Sequence, residues 1–223
     1  MIKTFNFKKL KNKFLLLKNN QVLKLSNFEE IKFVSKDSVE KIVNRLNSID
    51  NKYLNDEILL NICFSENLDN NDKEKIIEEI IYQLSFDEIC YRTMDSKVNK
   101  LLDRKLNKYI LEFENTFEVN FVISAKKFFY QKNLNSKKFR KFLQTLNNDI
   151  LTVFYKLCKY ECSTILSYFF VIGSINDEKL YNLSNLETIN NFRNKKISEE
   201  LKVLVKERKK NLKNISKFFN LLT

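Results

Sequence analysis

The apolar positions of this 223-residue chain follow two different periods, and the change falls close to residue 95. Before it, short apolar runs are separated by clusters of Asn, Asp and Ser; beyond it, apolar residues recur at helical spacing. A period of two is typical of strands and a period of 3.6 is typical of helices. The pattern therefore predicts a mixed first part, residues 1–95, and a helical second part, residues 96–223.

A β-hairpin is predicted near the N-terminus. Two strand-like runs, 13–17 and 21–25, flank Asn19 and Asn20. Because Asn tolerates a positive φ, this pair can form the tight turn between two antiparallel strands. Residues 30–34 have the composition of a third strand, so the first part is expected to contain a small sheet.

Helices are also predicted in the first part. Ser35 or Asp37 can cap one helix, and Asn70 or Asn71 begins another, because each precedes apolar residues at helical spacing. Residues 58–64 are apolar and fit either a strand or a helix.

Residues 86–92, FDEICYR, are predicted to form a short strand of the same sheet as the hairpin. Strand alternation would direct two sets of side chains to opposite faces: Phe86, Glu88, Cys90 and Arg92, and Asp87, Ile89 and Tyr91. Arg92 carries a planar fork of donors, and a structural tie between this segment and the helical part is the favoured interpretation of it.

The second part is expected to contain helices and no long strand. Residues 121–130 fit a passage from strand to helix, and the apolar stretch 162–172 is expected to be the central helix. Gly173, the chain's single Gly, is a natural C-cap. The other predicted helices are 98–110, 139–160, one that begins at Asn176 or Asp177, and one that begins at Ser198.

The formal net charge of +12 is weak evidence for nucleic-acid binding. The chain is rich in Lys, Asn, Ile and Phe and nearly lacks Gly, Ala and Pro, as an AT-rich coding sequence produces. Two basic stretches with aromatic residues, 126–130 and 137–141, could stack bases and hold phosphates. A basic helical RNA-binding protein is therefore the alternative function, although nucleic acid is not the expected partner.

The four cysteines do not predict a metal site. Cys63, Cys90, Cys158 and Cys162 include no CxxC pair, and the chain has no His. Cys90 is expected to be a buried, reduced thiol without a metal, because Cys packs as a small hydrophobic residue.

Catalysis is not expected, since the chain contains no His, no Gly-rich phosphate loop and no serine nucleophile elbow. No cofactor and no small-molecule substrate is expected either. No apolar run approaches the length of a membrane span, so no membrane insertion is expected. The expected compartment is the cytoplasm of a bacterium with an AT-rich genome, with the mitochondrial matrix as the alternative.

Several stretches resemble one known family, the chaperones that assemble the F1 sector of ATP synthase by holding its unassembled α subunit. The most specific match is 86–92, which is similar to a family segment of the form Asp-Leu-Leu-Cys-Tyr-Arg. The remaining matches are 17–26, 60–69, the Ser-led apolar run 163–173, Glu178, the pair Leu186-Glu187, and the end of the last helix at 218–222.

The resemblance implies an α+β fold: a small N-terminal α+β domain with antiparallel strands over 1–95, then an all-α orthogonal helical bundle over 96–223. It also implies a function, binding of the unassembled F1 α subunit to prevent its aggregation before assembly. The partner-binding residues it suggests are Glu187, Arg92, Tyr91 and Asp87.

Glu187 is the residue whose functional and structural interpretations differ most. It is expected to be exposed and to lie near the end of the helix that begins at Asn176. A carboxylate there would face the negative end of the helix dipole and would not stabilise its own helix. By resemblance it is the acidic residue of the subunit-binding region, which makes it a candidate partner contact.

Overall fold

A computed structural model describes residues 5–10, 13–19, 21–22, 36–50, 53–125, 130–132, 134–161, 163–194 and 198–222. These residues form a small antiparallel sheet near the N-terminus followed mostly by helices. The elements are β1 (Phe5–Leu10), β2 (Lys13–Lys18), β3 (Gln21–Val22), α1 (Lys36–Ser48), α2 (Asp56–Asn67), α3 (Asn70–Leu84), a 3-10 turn (Glu88–Cys90), α4 (Ser96–Phe117), α5 (Lys137–Thr145), α6 (Asn148–Glu161), α7 (Thr164–Val171), α8 (Asp177–Ser184), α9 (Leu186–Asn194) and α10 (Glu199–Asn220).

The sheet has the strand order β1-β2-β3, with both pairs antiparallel. The β2–β3 hairpin is the predicted one, and Asn19 adopts the positive φ, 51°, that its turn requires. Strand β1 was not predicted. Residues 23–25 and the predicted strand 30–34 lie outside the described residues.

The segment 86–92 is not a strand of this sheet, so that prediction is wrong. It contains a 3-10 turn, and only Tyr91 makes a bridge, a single parallel one to Ser124. The Asp87 carboxylate accepts a hydrogen bond from the Ile89 amide at 3.2 Å. Such a local bond offers the backbone an alternative to a sheet ladder, and it favours the turn here.

The apolar run 139–160 forms two helices, α5 and α6, instead of the single one predicted. The break falls at Asn147, whose side-chain oxygen accepts from the Ile150 amide at 2.9 Å and begins the second helix. The ambiguous run 58–64 is helical, within α2, where the Asn55 side chain caps the first turn.

Helix α7 is the buried central helix that the sequence predicted. Ser163 caps its first turn. At its end Gly173 has φ +76° and donates to the Phe170 carbonyl at 2.9 Å, while the Ser174 amide donates to the Phe169 carbonyl at 2.9 Å. This Schellman arrangement satisfies the last carbonyls of the helix.

Buried side chains from before and after residue 95 belong to one apolar cluster. Arg45 of α1 also connects the two parts of the chain, because its guanidinium pairs with both carboxylate oxygens of Asp149 on α6 at 2.9 Å. A division into domains at 95/96 and an orthogonal arrangement of the helices stay predictions. Among the described residues no helix has the length and hydropathy needed to cross a membrane.

Candidate functional site

A cavity of about 790 Å³ opens beside the segment 86–94. Its walls come from that segment and from α3, α4, α6, α8, α9 and α10. Three of the four side chains proposed from the sequence, Tyr91, Arg92 and Glu187, line this one cavity. The fold therefore brings together residues that are almost a hundred positions apart in sequence.

Arg92 joins the segment to helix α4. Its side chain is buried, with the residue 8% exposed. Nε donates to Asp103 at 2.8 Å and Nη2 to Asn107 at 2.7 Å, both on α4. Nη1 donates to the carbonyls of Ile89 and Tyr91 at 2.9 and 2.7 Å. This is the structural tie that the sequence favoured.

Asp87 joins the segment to helix α7. The residue is only 2% exposed, and its two carboxylate oxygens accept from the amides of Ile89 and Ile165. Burial raises its pKa to about 7, and hydrogen bonds from Ile165, Ser163 and Ile89 oppose that rise. Asp87 therefore holds the cavity wall in place from inside the protein.

Tyr91 lies between these two anchors and is half-buried. The Arg92 amide donates to the Ser124 carbonyl at 2.8 Å, and the Ser124 amide donates to the Cys90 carbonyl at 3.1 Å. These bonds hold residues 121–125 against the segment. Burial raises the pKa of the Tyr91 phenol.

Glu187 does not lie at the end of a helix, and the dipole argument made from the sequence is wrong. Helix α8 ends at Ser184, Asn185 follows it, and Glu187 lies in the first turn of the next helix, α9. A carboxylate at a helix N-terminus is stabilised by the dipole. The predicted exposure of Glu187 is confirmed.

Glu161 is a cavity residue that the sequence analysis missed. It is fully buried at 0% exposure, and among the described residues its Oε1 atom has no hydrogen-bond partner. Oε2 accepts weakly from Asn185 Nδ2 at 3.4 Å. Burial raises its pKa to about 7, against the opposing effect of Arg208. The available signal was a Glu immediately before the apolar stretch 162–172.

Large apolar side chains are exposed beside the cavity. Met94 and Tyr82, which line it, are 96% and 62% exposed. Tyr82 packs on Phe86, and Phe86 on Tyr130, with ring centroids 5.2 and 5.1 Å apart. Exposed apolar surface of this kind is typical of protein–protein contact sites. We call the exposed side chains around this segment the apolar rim: Tyr82, Met94, Val122, Ile123 and Tyr130.

The basic stretches give the nucleic-acid alternative little support. In 137–141, Phe139 is fully buried and cannot stack on a base. Lys138 pairs with Glu118 at 2.6 Å, and Arg140 pairs with Glu78 at 2.5 Å. Residues 126–129 of the other stretch lie outside the described residues. Within the described part of the chain, no group of three or more His, Cys, Asp or Glu side chains could hold a metal.

Comparison with solved structures gives matches over nearly the whole chain. A protein of Agrobacterium tumefaciens described as a candidate chaperone matches with a TM-score of 0.67 and 13% identity, covering 100% of this chain and 85% of that one. No protein-family profile and no curated protein matches the sequence.

Two structures of Atp12 from Paracoccus denitrificans, one of a point mutant, match with a TM-score of 0.67 and 14% identity. The match covers 99% of this chain and 96% of theirs. The chain therefore has the fold of Atp12. Identity this low establishes the fold alone.

Proposed function

We propose that this protein is an assembly chaperone that binds the unassembled α subunit of the F1 sector of ATP synthase and prevents its aggregation before F1 assembly. The observation that carries the proposal is the match to Atp12 over 99% of this chain. The resemblance of 86–92 to the family's Cys-Tyr-Arg segment supports it independently, because it rests on sequence alone.

The physical task of such a chaperone is to cover surfaces that assembly later buries. Exposed subunit interfaces aggregate when their proper neighbours are absent. A releasable binder needs a few anchoring side chains within a polar surround. The apolar rim supplies aromatic and aliphatic side chains of the kind that anchor an interface, and Glu187 supplies an exposed charge next to them.

The four residues proposed from the sequence divide into two roles. Glu187 and Tyr91 are the proposed direct contacts, since both reach the cavity and neither is fully buried. Arg92 and Asp87 are proposed to act indirectly, because their polar atoms are used in holding the segment to α4 and α7. Binding and release account for this function without any covalent chemistry. The proposed compartment is the cytoplasm of a bacterium.

The test is capture from the native host with a tagged copy of this chain. Recovery of the F1 α subunit, and not the β subunit, is expected. Recovery of neither subunit, or of both equally, contradicts the proposal. Binding of single-stranded RNA that weakens steeply with salt, without capture of the α subunit, would instead favour the nucleic-acid alternative.

A further inference from the structure

We propose that the cavity binds the side chain of an arginine or lysine on a bound polypeptide, and that Glu161 in its wall is the anionic partner of that side chain. This inference rests on the proposed function, which says which polypeptide is bound. It adds the chemistry by which that chain is held, and it concerns a residue different from the exposed Glu187.

The first support is an acceptor that lacks a donor. Glu161 is fully buried, and Oε1 makes no hydrogen bond of ordinary geometry; the Ser184 hydroxyl, which is also buried without such a bond, lies near enough to lower the pKa of the carboxyl. Gln83 also lines the cavity, and its buried Oε1 atom likewise has no partner among the described residues. An unsatisfied buried acceptor is costly. Two of them in one cavity match a ligand that carries several N–H donors.

The second support is the arrangement of charge around the cavity. Arg92 and Lys159 line it, but each has its own anionic partner, Asp103 at 2.8 Å and Glu79 at 3.4 Å. The Arg208 guanidinium acts on Glu161 through space, since it lowers the pKa of that carboxyl. It leaves Oε1 without a hydrogen bond. A further cation in the cavity can make the bond that this oxygen lacks once the Glu161 carboxylate, which has no exposed surface in this structure, turns toward the cavity.

The third support is the shape and lining of the cavity. A volume of about 790 Å³ admits a long side chain, whose aliphatic stem could pack along Leu102, Leu106 and Leu183. Tyr82 and Phe86 add aromatic faces that favour a cationic head group. The exposed apolar rim outside the cavity would contact residues that flank the basic one, which favours a polypeptide over a free amine.

The test uses two short peptides, acetyl-Phe-Arg-Phe-amide and the same peptide with citrulline in place of arginine. Citrulline keeps the shape of the side chain and removes its charge. In titration calorimetry at pH 8 we expect the arginine peptide to bind at least about tenfold more tightly, as one charge-assisted hydrogen bond allows. The variant Glu161→Gln should reduce this preference to about twofold or less.

The matched control is Glu112→Gln, which removes an exposed carboxylate on α4 outside the cavity and should keep the full preference. No preference in the unmodified protein, or a preference that survives Glu161→Gln, would overturn the proposal. The comparison of the two peptides needs no variant, so the absence of a preference would overturn the proposal even if Glu161→Gln does not fold. Agmatine binding as tightly as the arginine peptide would overturn the assignment to a polypeptide.

These peptides contain no F1 sequence, so the two proposals can fail separately. If the protein does not prefer the arginine peptide but captures the α subunit normally, only the proposed role of the cavity is wrong. If the protein prefers the arginine peptide but does not capture the α subunit, the proposed partner is wrong. The cavity would then bind a basic polypeptide other than the F1 α subunit.

Discussion

The carboxylate of Asp87 accepts a hydrogen bond from the backbone amide of Ile165 at 2.9 Å, across 78 positions of sequence. This bond satisfies one of the amides at the start of the central helix α7, which has no partner within the helix. It also fixes the segment 86–92 against the core. The wall of the cavity is therefore attached to the buried helix α7.

Asp87 should make stability depend on pH. Its folded pKa, about 7, exceeds the ordinary value of 3.8, so the folded state holds a proton that the unfolded chain releases first. The contribution is fully present below about pH 4 and is lost as pH rises through about 7, by roughly 4 kcal/mol. Glu161, with a folded pKa of about 7, adds a change of the same sign.

The measurement is urea unfolding from pH 4 to 8 for the unmodified protein and for Asp87→Asn. The variant should lose much of the decline between pH 4 and 8. Asp56→Asn is the control, because Asp56 is exposed in the first turn of α2 and its carboxylate stays in water. Equal pH dependence in Asp87→Asn and the unmodified protein would contradict the prediction.

Arg92→Met should destabilise the protein by about 3 kcal/mol, because it leaves two carbonyls and the Asp103 carboxylate without their donor. Arg140→Met is the matched control. Arg140 pairs with Glu74 and Glu78 at the surface, where ion pairs contribute less than about 1 kcal/mol. Denaturant unfolding measures both, and similar losses would show that Arg92 does not have the structural role assigned to it.

Glu187→Lys should weaken capture of the F1 α subunit by about 2 kcal/mol or more if Glu187 is an interface hot spot. Its own stability should fall by less than about 1 kcal/mol, the usual effect of the dipole at an exposed helix N-terminus. Glu200→Lys is a close control, since Glu200 is also exposed in a first helical turn, that of α10, and lies outside the cavity. Normal capture by Glu187→Lys, or equal loss in both variants, removes Glu187 from the interface.

Cys90 should be inert in the folded protein. It is buried, and burial raises the pKa of its thiol well above the ordinary value, so little thiolate is available to react. Cys90→Ser should cost about 1–3 kcal/mol, because the hydroxyl would be poorly satisfied there. Thiol labelling with and without denaturant tests the first point. Fast labelling of Cys90 in the native state, or stoichiometric zinc in the purified protein, would contradict it.

Local patterns determined most of the helices. The apolar face of α1 was predicted and is buried. The caps at Asn176 and Ser198 begin α8 and α10 as expected, and Gly173 ends α7. These features depend on residues within one or two turns of each other, and such short-range preferences can be recognised in the sequence alone.

The sequence also proposed Tyr91, Arg92 and Glu187 as partner-binding residues, although it did not show that they share a cavity. It misjudged the conformation of 86–92, because Asp87 and Arg92 find partners on α7 and α4 that no local pattern reveals. It overlooked Glu161, whose significance comes from what surrounds it. Only tertiary structure decides which buried polar atoms are left without partners, because burial and hydrogen bonding depend on residues distant in the chain.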